Sequence, residues 1–159
     1  MDLPYQTHRA ATTTRALSTL GDCATWDAAV QIFLRCQALA TASGEFGPYA
    51  RAVDAFDHAK FSVEGKFGRN LRDNAEAQAI MAVAKAAMTK AEIEQSETYY
   101  SPMWEAERNL VRTKPPTLNA ALFKAELIEA EDVWNDTKLG ADAFEIVTQD
   151  LARFEGEGA

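Results

Sequence analysis

The sequence predicts an all-α fold, an antiparallel bundle of five to six helices, on three observations. Alanine is abundant, while glycine and proline number only eight and five in 159 residues. Apolar residues recur at three- and four-residue spacing through most of the chain. Residues 104–123 read as one helix running into Pro115-Pro116 and a second starting at once behind Thr117. Proline lacks a backbone donor and clashes with the preceding turn, so the pair stops the first helix. Thr117 can then accept the orphan N–H groups of the second as its N-cap.

Residues 1–24 carry no clear period and are expected as a partly disordered segment, with a short helix at most over 13–20. Gly21-Asp22 reads as a turn. The first clear helix is expected from Thr25, as N-cap, to about Ala42. Trp26, Ala29, Val30, Phe33, Leu34, Gln37 and Ala40 form its buried stripe, and Ser43-Gly44 ends it. Pro48 suits the first turn of a second helix reaching about Val63, with Tyr49, Ala52, Val53, Phe56 and Ala59 inward. The glycine-flanked residues 64–70 are expected as a loop.

The longest helix, alanine-rich and central, is expected over 71–100, with Ile80, Met81, Val83, Met88 and Ile93 as larger knobs. Pro102 should kink it, or restart it behind Ser101 as cap. The helix after Thr117 should bury Leu118, Ala121, Leu122, Ala125 and Ile128 and end near Trp134-Asn135, before a turn at 136–140. A last helix is expected over 141–154 with Phe144, Val147, Leu151 and Phe154 on one face, and residues 155–159 should fray. A chain of this length ordinarily makes one domain, here 25–154, burying about two thirds of its unfolded surface.

Residues 110–118 (Leu-Val-Arg-Thr-Lys-Pro-Pro-Thr-Leu) and 121–127 (Ala-Leu-Phe-Lys-Ala-Glu-Leu) resemble a pattern in small uncharacterised all-helical alphaproteobacterial proteins. In those, a threonine–proline–x–proline corner precedes a helix bearing a lysine and a glutamate. The Thr25-Trp26-Asp27 start, Trp134 and the 150–154 end fit the same type. The adjacent prolines at 115 and 116 and the 64–70 linker depart from it. The resemblance implies a helical fold and frequent prophage-like or mobile-element association. It implies no activity.

Composition narrows the functional classes. The net charge is −8, and residues 129–159 hold nine acids against two bases. Such a face repels nucleic acid and anionic membrane. No apolar run approaches the roughly 20 residues of a membrane span. The first residues lack the charged and apolar regions of a secretory signal, so a cytoplasmic protein is expected. Cys23 and Cys36 lack the further ligands of a zinc site and read as reduced thiols.

Chemistry-bearing constellations are sparse. Neither His8 nor His58 has the Glu-x-x-His partner of a di-iron bundle. Neither serine nor cysteine sits in a nucleophile motif, so no catalytic residue, metal or cofactor is assigned. Asp54 and His58 stand one helical turn apart, a spacing at which a carboxylate can orient an imidazole. Glu126, Glu129 and Asp132 form a candidate acidic face. Lys60, Phe61, Lys66, Phe67, Arg69 and Arg72 interleave cations with aromatics, which can grip phosphates and stack bases. Tyr99, Tyr100 and Trp104 supply candidate interaction aromatics.

The leading expectation is a non-enzymatic protein-interaction or accessory protein, with a protein partner or a homodimer through helix faces. The alternatives are a nucleic-acid-associated regulator using residues 60–72 and a small-molecule-binding bundle using Asp54–His58 or the acidic face.

Overall fold

A computed structural model describes residues 21–139 and 141–155, and these are all-helical, with no strand among them. Six α-helices follow in order: α1 (Cys23–Phe46), α2 (Pro48–Phe67), α3 (Ala75–Gln95), α4 (Ser101–Arg112), α5 (Leu118–Ala130) and α6 (Ala143–Glu155). A π-helical turn (Ser96–Tyr100) joins α3 to α4, and two 3₁₀ turns (Val133–Asn135 and Thr137–Leu139) join α5 to α6. The expectations for residues 1–20, Gly140 and 156–159 lie outside the described residues.

Two compact units divide the described residues, one holding those up to Phe33 with those from Ala106 onward, the other Leu34–Glu105. The division falls within α1 and within α4.

The helix boundaries expose which signals the chain uses. Asp22, not Thr25, caps α1: its Oδ2 accepts both the backbone N–H and the hydroxyl of Thr25 at 2.8 Å. Those bonds hold the Asp22 carboxyl below its ordinary range. Ser43-Gly44 does not end the helix. The Ser43 hydroxyl donates to Ala40 O at 2.7 Å within a buried turn, and α1 continues to Phe46. Pro48 opens α2 as expected, but residues 64–67 are its last turn rather than a loop. Gly68 stops it at φ +77°, a conformation that favours glycine, and donates its N–H to Glu64 O at 2.9 Å.

The helix expected to be the longest, from Leu71, starts at Ala75 and at 21 residues is shorter than the 24 of α1, because Asn74 accepts the Ala77 N–H at 3.0 Å and so fixes the N-cap there. Pro102 neither restarts the helix nor leaves Ser101 as a cap. Helical bonding runs on through the π-turn, in which the Ser101 N–H reaches back five residues to Ser96 O. The widened turn falls where the proline ring would otherwise meet the preceding carbonyl.

Within Leu34–Glu105, α2 and α3 pack along one another across the 68–74 connection. The buried seam of α3 runs through Ala77 and Gln95, with Met81, Ala84, Met88 and Ala91 half-buried between them. Among the described residues of this unit, Val63 is the one large apolar side chain that is fully buried.

The other unit has the denser interior. Val111, Ile128, Val133, Leu139 and Ala143 cluster, with Ile146 and Val147 packed against them. Trp26 meets Phe123 edge-to-face, with ring centroids 6.5 Å apart. The Pro115-Pro116 stop holds: α4 ends at Arg112, and Thr117 accepts the Ala120 N–H at 3.2 Å as N-cap of α5.

The inward face of α5 differs from expectation. Ala120, Ala121, Lys124, Leu127 and Ile128 are buried, while Leu118 and Leu122 are exposed. Apolar residues surround this helix, so their spacing cannot select a face. It also ends earlier than expected, at Ala130, where Asp132 turns the chain at φ +54° and its carboxylate accepts from the Asn135 amide. Phe144, expected inward on the last helix, is 66% exposed and lies 6.2 Å from Trp134.

Candidate functional site

The long helix α3 carries the feature that most demands an explanation. Its inner edge is covered by α2, as described. Its outer edge presents Ala75, Ala79, Ala82, Val83 and Ala86, all exposed and spaced three and four residues apart, so that they form one stripe. Val83 is 73% exposed and Ile93, further along, 54%. A shallow groove of about 560 Å³ runs beside this stripe, lined by Ala82, Lys85, Ala86, Thr89, Lys90 and Ile93. Alanine keeps the helix surface low enough for another backbone to approach closely, and Val83 stands above it as a knob.

Charge along α3 is polarised. Lys66, Arg69 and Arg72 surround its N-terminal end with Asp73 and Glu76, whereas Glu92, Glu94 and Glu97 outnumber Lys90 at the other. Lys66 pairs with Glu76 at 2.8 Å, both widely exposed, an interaction worth little by itself.

Below the C-terminal end of α3 lies a recess of about 270 Å³ formed by Tyr49, Glu92, Gln95, Ser96, Tyr100 and Trp104. Tyr100 and Trp104 lie with ring centroids 6.0 Å apart. Its floor is Gln95, whose Oε1 accepts the Tyr49 N–H at 3.0 Å. A side chain of α3 thereby satisfies an orphan donor at the start of α2, where Gly47 offers no side-chain cap. A Cβ on Gly47 would stand 2.2 Å from the Ser43 carbonyl oxygen and 2.5 Å from that same glutamine oxygen, so the close backbone approach requires glycine.

The structure disperses the other candidates read from sequence. Asp54 and His58 are both exposed on α2 with no hydrogen bond or ion pair between them. Glu126, Glu129 and Asp132 are also exposed. Lys60, Phe61, Arg69 and Arg72 are exposed and Phe67 half-buried beneath the Lys66 ammonium, 4.6 Å from its ring centroid. Arg72 O accepts the Gln78 side-chain amide, which ties the turn to α3. Tyr99 and Tyr100 are half-buried, while Trp104 is exposed.

Among the described residues, no group of three or more histidine, cysteine or acidic side chains is arranged to hold a metal ion. No described helix is long and apolar enough to cross a membrane. No family model matches the chain, and neither a curated protein nor a solved structure does.

Sequence reasoning singled out Val83 and Ile93 as knobs of a core helix and missed that they face outward. The alanine positions 75, 79, 82 and 86 contained the signal, since they repeat on the edge opposite Ala77, Ala84, Met88 and Gln95.

Proposed function

We propose that this chain is a non-enzymatic interaction protein that self-associates through the outer stripe of α3. The observation that carries the reading is the imbalance of residues 34–105: one large apolar side chain fully buried, against Val83, Ile93 and Phe61 at 73%, 54% and 73% exposure. A unit with so thin an interior gains from burying a second face, at about 25 cal/mol per Å².

Charge selects the occupant. An antiparallel copy related by a twofold axis beside Val83 sets Glu76 against Lys90, twice by symmetry. It also brings the basic turn holding Arg69 and Arg72 to the acidic end holding Glu94 and Glu97 of its partner. A parallel copy would set like charges together. The 21 residues of α3 span roughly 30 Å, enough for several turns of contact. Two α2–α3 hairpins joined in this way make a four-helix antiparallel bundle between copies, distinct from the five- to six-helix bundle expected within one chain.

Light scattering behind size-exclusion tests this. The expected mass is twice the 17.5 kDa of the chain, falling to that of one chain in Val83→Asp. Glu76→Lys and Lys90→Glu should each weaken the dimer, and the double exchange should restore it. A monomer across the accessible concentration range overturns the reading, as does a dimer indifferent to these changes. Co-purifying nucleic-acid absorbance, removed by changes at Arg69 and Arg72, would transfer the function to the nucleic-acid class.

A further inference from the structure

A different cavity, within the unit of α4, α5 and α6, combines chemistry that α3 lacks. It measures about 220 Å³ and is lined by Arg112, Lys114, Lys124, Ile146, Gln149, Asp150 and Arg153. Four cations and one carboxylate therefore converge in a chain whose net charge is −8.

The carboxylate is fully engaged. Asp150 Oδ2 accepts from Lys124 Nζ and Oδ1 from Arg153, each at 2.5 Å. Lys124 also donates to Thr113 O at 2.6 Å. Arg112 gives Nε to Leu139 O at 3.0 Å and its Nη2 to Lys138 O and Leu139 O at 2.6 and 2.8 Å. Gln149 donates to Glu145, one turn back on its own helix, at 2.9 Å.

Several donors remain after this accounting. Arg112 Nη1, Arg153 Nε and Nη2, and the Lys114 ammonium have no hydrogen-bond partner among the described residues. Both guanidinium groups are anchored, Arg112 through Nε and Nη2 and Arg153 through Nη1, which leaves their remaining donors open. Planar guanidinium forks so placed suit the oxygens of a tetrahedral or planar anion.

We infer that this cavity binds a small dianionic oxyanion of the phosphate class, gripped by Arg112, Lys114 and Arg153 beside the Lys124–Asp150 pair. A dianion matches the residual charge better than a monocarboxylate, because one carboxylate already offsets one of the four cations. The volume admits a phosphate group with a small substituent. Burial pushes the Lys124 ammonium below its ordinary range and Arg153 adds to that effect, so an anion beside the pair relieves a strain already present.

The test is a titration of inorganic phosphate into the full chain at low ionic strength, followed by backbone amide NMR. Sodium chloride and sodium acetate at matched ionic strength are the controls. Saturable shifts at Lys114, Gln149 and Arg153 are expected with phosphate and not with chloride. Lys114 makes no side-chain bond among the described residues, so Lys114→Ala should weaken phosphate about tenfold, as loss of one charge-assisted contact does, with no change in melting temperature without phosphate. Arg153→Gln is the second variant, with the same expected direction. A phosphate response equal to that of chloride overturns the site. A response to acetate as strong as that to phosphate overturns the dianion assignment, and an unchanged affinity in Lys114→Ala overturns the residues named.

Discussion

The ammonium of Lys124 lies 2.5 Å from the carboxylate of Asp150, and the two side chains are 1% and 4% exposed. Both charges are almost withdrawn from bulk water, so each is stabilised by the other and by its remaining neighbours. Arg153 supports Asp150, Thr113 O supports Lys124, and the Trp26 ring centroid lies 5.7 Å from the ammonium.

Removing one partner should therefore cost more than removing both. Asp150→Leu is expected to destabilise the fold by about 3–5 kcal/mol, because it strands a buried cation. Lys124→Met should do the same to the carboxylate, relieved in part by Arg153. The double variant Lys124→Met/Asp150→Leu should recover most of the loss. Urea denaturation of the four chains closes the cycle, and additive losses would show that the pair is not coupled.

Glu107 gives a pH dependence of definite sign. It is 6% exposed, and burial first, then Glu131 and Asp136, push its carboxyl up to about 7, with Arg108 opposing. Arg108 itself pairs with Asp136 at 2.8 Å, which holds Asp136 below its ordinary range. Between the ordinary value of 4.5 and about 7 the folded chain binds the Glu107 proton more tightly than the unfolded one. Stability from this group is thus complete below the lower value and lost as pH rises through the upper. Glu107→Gln should stabilise the protein by about 1–3 kcal/mol at pH 8 and have little effect at pH 4. Equal effects at the two pH values would contradict it.

Gln95 and Gly47 form a second long-range dependence. Gln95→Ala leaves the Tyr49 N–H without its acceptor and should cost about 1–2 kcal/mol. Gly47→Ala should be worse, since its Cβ would strike both Gln95 and the Ser43 carbonyl. Combining the two should cost less than the sum, because removing the glutamine leaves the new methyl one less obstacle. Thermal unfolding measures all three.

Thr117 offers a local control. Thr117→Ala should cost about 1 kcal/mol, the usual worth of an N-cap, and Thr117→Ser almost nothing. Chemical denaturation that finds the two alike would remove the cap from the account of the corner.

These contrasts locate what the sequence makes legible. Pro48, Pro115-Pro116 and Thr117 act on their own neighbours through backbone sterics and donors, so they are readable one residue at a time. The stripe of Trp26, Ala29, Phe33 and Ala40 is legible from its three- and four-residue spacing, whereas Leu34, expected in the same stripe, is 44% exposed, because α1 also carries Ile32, Leu39 and Phe46 on its outer side. The inward face of α5 is not, since Leu118, Leu122 and Phe123 compete with Leu127 and Ile128, and a lysine occupies the interior. Lys124 finds Asp150 26 residues away and Gln95 finds Tyr49 46 away. No local pattern announces partners at such separations. The apolar edge of α3 was visible as alanine spacing, but which edge faces outward depends on where α2 packs.

The nitrogen of Lys124 touches three helices at once: it belongs to α5, donates to Thr113 at the end of α4, and pairs with Asp150 in α6. α5 and α6 contain 13 residues each, a length at which an isolated helix is marginal in water. Neither has enough of its own stability to outlast the other once that ammonium is withdrawn. Amide protons throughout α5 and α6 should therefore exchange through a single shared opening, together with the Ala106–Arg112 end of α4, so that one side chain sets the size of the cooperative unit.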